Sequence, residues 1–238
     1  MNIFKVSALI VLLALSGCLP PPEKSVSPNF VFDPPSASPA TKNSMSIAIL
    51  LPGTAGSFFE DKSYETLSKK FVNAAQIDLE KVLLSKGFTI SGSFRSYDEM
   101  TFSQKERSTL IMRPTVSYNI DLRSGGFGKE TIATVSGSVA IEFLEPLSKE
   151  KVWIKHFDLP ETTQQVRTDL VRGPDGSLAH AANGGLLYGL TLNSATNLLN
   201  SFYATSFRRI WDQLDEREIV SLRSDANKLK SRSNYRAN

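Results

Sequence analysis

The 238-residue sequence predicts an α+β fold, a mixed sheet of about five strands packed against a central helix and a long C-terminal helix. Three observations predict it. A short apolar run is followed by an amphipathic helical stretch. Further on, strictly alternating apolar and polar residues indicate a three-strand antiparallel meander, and apolar residues at helical spacing close the chain.

Residues 1–17 are predicted to be a signal peptide. Lys5 precedes an apolar run that is too short for a permanent transmembrane helix. The run ends in Leu15, Ser16, Gly17 and Cys18. This ending resembles the lipobox of bacterial lipoproteins, which implies cleavage before Cys18 and acylation of that cysteine, the only one in the chain. Two or more acyl chains anchor a protein stably in a membrane.

Residues 18–44 are predicted to be a tether that begins with the lipidated cysteine. Seven of the 12 prolines lie in this segment, among Ser, Ala and Thr. Such a composition favours extended polyproline-type chain and buries too little apolar surface to fold by itself. Phe30, Val31 and Phe32 interrupt the pattern, and two alternatives stay open: they dock on the domain or on a partner.

Residues 45–238 are predicted to form a single domain. Ile47–Leu51 indicates a buried strand, and residues 63–86 an amphipathic helix with Asp78 off its apolar stripe. A strand over residues 88–94 and a short helix within 98–107 follow. The apolar members of the helix stripe are Tyr64, Leu67, Phe71, Ala75, Leu79, Val82 and Leu83.

The meander is predicted from three apolar–polar segments joined by short turns. Its first strand covers residues 110–122, where Pro114 indicates an edge or a bulge. Glycines at 125, 126 and 128 supply a turn. The return strand carries Ala133, Val135, Val139, Ile141 and Phe143 on one face, and the third strand covers residues 151–159.

Residues 160–191 show no period and are predicted to be a loop, which at this length is typically functional or mobile. The closing helix has an apolar stripe from Leu199 to Leu229. A charged break at residues 215–218 is either a kink or a boundary between two helices. The tail from Arg223 onward is basic, which is typical of a helix C-terminus.

The sequence offers little for catalysis, metal binding or a cofactor, and none of these is predicted. His156 lies in a strand and His180 in the loop, with no acidic neighbour in sequence, and there is no cysteine cluster. A net charge of +3 is too small for the basic footprint of a nucleic-acid binder.

Several segments, in order, resemble the neuraminyllactose-binding haemagglutinin family of outer-membrane and flagellar-sheath lipoproteins. They are the helix at 71–84 with Ser85–Phe88, Ser96–Asp98, Phe102–Lys105, Ile141–Ser148 and the closing helix. The resemblance covers most of residues 45–232 and includes the lipobox. It implies a lipid anchor in the bacterial outer membrane, with the flagellar sheath or the cell surface as its place, and a binding role.

The family is associated with a sialylated ligand through a short basic segment after the first meander strand. This sequence departs from the family there, since only Arg123 and Lys129 supply positive charge between Tyr118 and Val135. These two residues are the candidate ligand-binding residues. The resemblance therefore implies the fold, the lipid anchor and the location of this chain, but it does not imply a sugar-binding site.

Two functions follow from the sequence. The first is an adhesin or binding module whose partners are the membrane, through its acyl chains, and a host sialylated glycan. The alternative is a structural or assembly lipoprotein that faces the periplasm and uses its tether to reach an envelope protein.

Overall fold

The computed structural model describes residues 25–35, 44–124, 131–166, 168–170 and 188–236. Six strands form one mixed sheet, and the helices over residues 65–85 and 192–236 cover one of its faces. This arrangement confirms the predicted α+β class. The face that packs on the helices is called the core face, and the opposite face the outer face.

The elements follow the predicted order. The strands are β1 Ser46–Leu50, β2 Gly53–Ala55, β3 Thr89–Phe94, β4 Leu110–Ser124, β5 Thr131–Leu144, β6 Lys151–Val166, β7 Thr168–Leu170 and β8 Tyr188–Leu190. The helices are α1 Ser57–Glu60, α2 Glu65–Ser85, α3 Phe102–Arg107, α4 Leu192–Gln213 and α5 Glu216–Arg236. Short 3₁₀ turns cover Lys62–Tyr64 and Tyr97–Glu99.

The main sheet has the strand order β3-β1-β4-β5-β6, with β2 added beside β4. β1 runs parallel to both β3 and β4, whereas β4, β5 and β6 form the antiparallel meander. The β4–β5 ladder is unbroken from Ile111 opposite Leu144 to Ser124 opposite Thr131. That pairing fits the predicted hairpin, whose glycine turn lies outside the described residues.

Pro114 does not mark a sheet edge, because β4 has neighbours on both sides. The proline lies opposite the interruption between β1 and β2, where the neighbouring segment carries one residue more than β4. An irregular point in a ladder tolerates a residue without a backbone N–H. The prediction of an edge is therefore wrong, and an irregularity in the neighbouring ladder accounts for the proline.

The central helix α2 buries the predicted apolar stripe against the core face. Leu67, Phe71, Leu79 and Val82 are all at most 4% exposed. Asp78 is buried as well, which corrects its predicted place off the stripe. Its position three residues after Ala75 and four before Val82 places it on the buried side of the helix.

The predicted loop at 160–191 is wrong over its first part, because β6 continues to Val166 and pairs with β5 throughout. Residues 160–165 are exposed and lack apolar alternation, so the pattern gives no sign of a strand there. β7 and β8 pair in a separate two-stranded sheet. The rest of the predicted loop, including His180, lies outside the described residues.

The C-terminal part is two helices rather than one, so the boundary alternative for the charged break is confirmed. α4 ends at Gln213, and Asp215 begins α5 by accepting hydrogen bonds from the backbone N–H groups of Arg217 (2.7 Å) and Glu218 (3.1 Å). These two hydrogen bonds lower the pKa of Asp215. An aspartate at this position is a favourable N-cap.

Residues 25–35, called the strap, lie along α2 and α4. Phe30 is buried, and its ring centroid lies 5.6 Å from that of Phe71 and 5.3 Å from that of Tyr203. Phe32 packs on Phe207 at 5.6 Å, whereas Val31 is 57% exposed. Of the two alternatives for this segment, docking on the domain is the one observed. The division into signal peptide, tether and domain stays a prediction.

Candidate functional site

Of the site residues predicted from the sequence, the structure describes Arg123 alone. Arg123 lies near the end of β4, where its exposed guanidinium pairs with Asp121 at 3.4 Å. Lys129 lies outside the described residues, as do Leu15, Ser16, Gly17 and Cys18. The candidate lipidation and ligand sites therefore stay predictions.

A cleft of about 170 Å³ lies at the end of the core face where α2 and α4 begin, called the upper end of the domain. Its walls are Ser57, Phe58, Asp61, Tyr64, Ile120, Leu122 and Leu190. Arg123 does not belong to this cleft, because alternate residues of a strand point to opposite faces and Ile120 and Leu122 line it.

The cleft is small and carries a single carboxylate. Asp61 accepts a hydrogen bond from the Ser63 N–H at 2.8 Å, and the Tyr64 hydroxyl donates to the Leu190 carbonyl at 2.9 Å. Small-molecule pockets typically enclose roughly 300–1,000 Å³. Its lining has no cation that would match a sialic-acid carboxylate, so the cleft is a poor site for that ligand.

A different set of residues meets at the opposite end of the sheet, called the lower end, where β4 begins and β5 ends. The Tyr97 hydroxyl donates to the carbonyls of Pro146 (2.7 Å) and Leu147 (3.2 Å). The ammonium groups of Lys105 and Lys149 lie 3.7 and 4.0 Å from the Tyr97 ring centroid. This group is called the Tyr97 surface and consists of Tyr97, Asp98, Phe102, Lys105 and Lys149.

The Tyr97 surface unites three segments that carry the family resemblance, two of them close together in the sequence and the third about 50 residues further on. Tyr97 comes from Ser96–Asp98, Lys105 from Phe102–Lys105, and the turn after β5 from Ile141–Ser148. The chain forms the surface by crossing the outer face between β3 and β4. There Met100 and Tyr97 help cover a small apolar cluster of Ala48, Leu50, Ile111 and Leu144.

A buried glutamate builds the turn that presents Lys149. Glu145 is fully buried, and one of its carboxylate oxygens accepts the N–H groups of Leu147 (2.9 Å) and Ser148 (2.6 Å). Lys149 adopts a left-handed conformation with φ 61° and donates its N–H to the Glu145 carbonyl. Residues other than glycine rarely adopt this conformation, and it persists where the surroundings fix it.

A capping box holds the helix that carries Lys105. The Thr101 hydroxyl accepts the Gln104 N–H at 3.3 Å, and the Gln104 side chain accepts the Thr101 N–H at 2.8 Å. Gln104, part of the resemblance, thus has a structural role. Phe102 and Lys105 are three residues apart and share one side of α3, where Phe102 is 68% exposed.

The charges of the Tyr97 surface are only partly balanced. Lys149 pairs with Asp98 at 3.2 Å, and both side chains are more than half exposed. Within the described part of the chain, Lys105 forms no ion pair and contacts the tyrosine ring instead. Burial raises the pKa of Tyr97, as do the Glu145 and Asp98 carboxylates, so its hydroxyl stays a proton donor.

The described residues hold neither a metal-binding cluster nor a membrane-spanning helix. Among the described residues, no cluster of three or more His, Cys, Asp or Glu is placed to hold a metal ion. His156 lies exposed on β6, as a histidine on a sheet surface does. None of the described helices is both long and apolar enough to cross a membrane.

The comparisons with known proteins give the family of this chain. The family model described as neuraminyllactose-binding haemagglutinin precursor matches residues 23–233. The chain belongs to this family. The match includes the strap as well as the sheet and the helices, and it confirms the resemblance read from the sequence.

Individual relatives come from Helicobacter pylori. A neuraminyllactose-binding haemagglutinin from this organism is 25% identical over 200 residues, which is 74% of each chain, and that of strain J99 is 24% identical over the same share. A crystal structure described as a homologue of this haemagglutinin superposes with a TM-score of 0.61 at 16% identity. It covers 85% of this chain and 100% of the other. The last likeness supports the fold alone.

Sequence reasoning does not identify the Tyr97 surface as a site, although most of its residues lie in the segments that resemble the family. Tyr97 and Lys105 belong to two of these segments, and Lys149 follows directly after a third. The signal available was that three separate segments of the resemblance each carry a polar or aromatic residue at a loop or a helix start. Their meeting depends on the crossing between β3 and β4, which one sequence does not reveal.

Proposed function

We propose that this chain is an outer-membrane lipoprotein that binds an acidic sugar through the Tyr97 surface. The family relation supports a binding role, since the relatives are named for binding neuraminyllactose and for haemagglutination, not for catalysis. The single observation that carries the proposal is that Lys105 and Lys149 share one tyrosine ring at the meeting point of three family segments.

The charges of this surface favour a carboxylate ligand. Two ammonium groups beside the same ring repel each other, and a carboxylate that binds either of them would offset part of that repulsion with charge-assisted hydrogen bonds. The exposed pair of Lys149 and Asp98 contributes at most about 1 kcal/mol, so exchanging Asp98 for a ligand carboxylate costs little. The exposed ring of Phe102 offers an apolar contact for the remainder of the sugar.

A glycan array probed with the detergent-solubilised full chain tests the ligand. We expect signals for sialylated lactose above those for neutral lactose, and a decrease with salt because the contacts are ionic. Equal signals for the sialylated and the neutral sugar would remove the acidic-sugar form of the proposal. Binding to neither would remove sugar binding altogether.

The proposed location rests on the lipobox-like ending at Cys18 and on Leu19 after it, which in the familiar sorting rule favours the outer membrane over the inner one. Radiolabelled palmitate should enter the wild-type chain and not a Cys18→Ser variant. Protease added to intact cells should remove the domain if it lies on the surface or on a flagellar sheath. Full protection would favour the alternative, a lipoprotein that faces the periplasm and binds an envelope protein.

A further inference from the structure

We propose that the strap is a short leash that holds the upper end of the domain towards the membrane and directs the Tyr97 surface away from it. The inference rests on the lipid anchor of the proposed function. It concerns a property that anchoring alone does not give, namely which end of the domain is accessible to a ligand.

The main chain of the strap is held by asparagine side chains of α4. The Val26 N–H donates to the Asn193 side chain at 2.9 Å, and the Asn29 N–H donates to Asn200 at 2.8 Å. The Asn200 side chain also donates to the Ser27 carbonyl at 3.4 Å. Asn200 therefore contacts the strap backbone on both sides of residue 28, as a neighbouring strand would.

A buried carboxylate on α2 fixes the other part of the strap. Asp78, which is 2% exposed, accepts the Phe32 N–H at 2.7 Å and the Tyr203 hydroxyl at 2.6 Å, and it pairs with Lys81 at 2.6 Å. A buried carboxylate is tolerated only when its oxygens are hydrogen-bonded. The strap supplies one of these donors, so it forms part of the folded structure around Asp78.

The aromatic residues of the strap complete the core between the two helices. Phe30 contacts both Phe71 of α2 and Tyr203 of α4, and Phe32 contacts Phe207. The strap and α4 run in the same direction, since Val26 contacts Asn193 near the start of α4 and Phe32 contacts Phe207 further along it. The strap therefore runs from the upper end, where α4 begins, towards the lower end.

The docking of the strap shortens the chain between the predicted anchor and its first contact with the domain. At about 3.1 Å per residue, the chain from Cys18 to Ser44 could reach at most about 80 Å, whereas from Cys18 to Val26 it could reach at most about 25 Å. Val26 lies beside the start of α4, near the cleft. Because the leash is attached at the upper end, that end is the one held near the lipid surface.

The Tyr97 surface lies at the opposite end of the domain. β4 passes the cleft at Ile120 and Leu122 and begins near the Tyr97 surface at Leu110. At about 3.4 Å per residue, these points are on the order of 35 Å apart. A leash of about 25 Å thus places the small cleft towards the membrane and leaves Lys105 and Lys149 facing outward.

Distance to the bilayer can be compared at the two ends with single introduced cysteines, because Cys18 is the only cysteine of the chain and is blocked once acylated. Lys62→Cys marks the upper end and Glu150→Cys the lower end, and both positions are exposed. The lipidated full chain is placed in vesicles, a fluorophore is attached, and quenching by a headgroup-linked quencher is measured. We expect several-fold stronger quenching at position 62 than at position 150.

Releasing the strap from the domain should remove the difference in quenching between positions 62 and 150. A Phe30→Ala/Asn200→Ala variant loses contacts made to or by the strap, and its quenching at positions 62 and 150 should become similar. Val31→Ala is the control, because it changes the exposed neighbour of Phe30; its difference in quenching between the two positions should equal that of the wild type. Asn200→Ala alone changes one half-buried residue and should narrow the difference in quenching between positions 62 and 150 if the double variant does not fold.

Equal quenching at both ends of the wild type, or stronger quenching at position 150, would overturn the leash. Failure of the chain to float with vesicles is a separate result: it would overturn the lipid anchor of the proposed function and the leash with it. Flotation with an unchanged difference in the released variant would leave the anchor intact and overturn the leash alone.

Discussion

Gly137 on β5 is required by its neighbours rather than by its backbone angles. A Cβ at this position would lie 2.6 Å from the ring of Phe202 and 2.6 Å from the Ser117 carbonyl oxygen. The Phe202 ring occupies the space above the glycine and contacts Tyr118, with 3.9 Å between ring centroids. The glycine therefore lets α4 approach the sheet closely.

Gly137→Ala should destabilise the fold by about 1–3 kcal/mol, because the ring and a backbone carbonyl would both have to move. Urea unfolding followed by circular dichroism measures this change. Ser136→Ala, on the outer face beside it, is the matched control and should change stability by less than about 0.5 kcal/mol. Equal effects of the two substitutions would show that Phe202 does not constrain position 137.

Glu142 gives stability that depends on pH. Burial raises the pKa of Glu142, but hydrogen bonds from Lys151 and Arg113, together with their charges, lower it by more, so its pKa lies below its ordinary value of 4.5. A carboxyl whose pKa is lowered by folding stabilises the native state above its unfolded pKa. That contribution is lost as the pH falls through the folded pKa.

The stability difference between wild type and Glu142→Gln should therefore be largest at neutral pH and shrink as the pH falls below 4.5. Chemical unfolding of both chains at neutral pH and at about pH 3 measures it. Asp98→Asn, which changes an 85%-exposed carboxylate, is the control. A difference that does not change with pH would contradict the proposed ion pairs.

Single residues also mark how far the sequence predicts the site. The sequence places Asp78 off the apolar stripe because charged groups on a helix usually face water. In the structure it is buried, and hydrogen bonds from Phe32 of the strap and from Tyr203 satisfy its carboxylate there. Lys149 and Lys105 carry no signal of their contacts either, because lysines are mostly exposed. The contact between Lys149 and Tyr97 joins residues about 50 positions apart, which local patterns do not encode.

At the scale of elements, the strap is the part whose contribution to stability is easiest to separate. Phe30→Ala should lower the free energy of unfolding by about 3–5 kcal/mol, because it removes a buried ring packed on Phe71 and Tyr203. Val31→Ala should cost less than about 0.5 kcal/mol, since Val31 is 57% exposed. Thermal unfolding of both variants measures the contrast. Comparable losses would mean that the strap does not belong to the folded domain.

Most elements were predictable from periodicity, and the exceptions have physical reasons. α2, β4 and β5 each bury one face, so their apolar residues recur at helical or alternating positions. The end of β6 has no buried face over residues 160–165, so only its pairing with β5 makes it a strand. The separation of α4 from α5 depends on the cap at Asp215, which the charged break signalled without deciding.

At the scale of the molecule, the α+β class was predictable from the sequence. The apolar face of each predicted helix or strand has to be buried against another element, and one sheet with helices packed on it achieves this. The family was predictable from the order of several short segments. One sequence does not reveal which residues lie at the upper end of the domain and which at the lower end. The small cleft lies at the end where the strap enters, and the two lysines lie at the other.

Because the two lysines lie at the lower end of the domain, removing their charges should weaken ligand binding, whereas removing a charge at the upper end should not. Lys105→Ala/Lys149→Ala removes both ammonium groups of the Tyr97 surface, and Arg123→Ala is the matched control at the opposite end of the sheet. Each charge-assisted hydrogen bond contributes about 1.5–3 kcal/mol, so losing two should weaken carboxylate binding by about a hundredfold or more.

The most direct test is calorimetric titration of the detergent-solubilised full chain with sialylated lactose, comparing wild type, the double lysine variant and Arg123→Ala. The Tyr97 surface as binding site predicts saturable binding by the wild type and by Arg123→Ala, and a loss of about a hundredfold in the double variant. Unchanged affinity in a folded double variant, or a loss confined to Arg123→Ala, would contradict it.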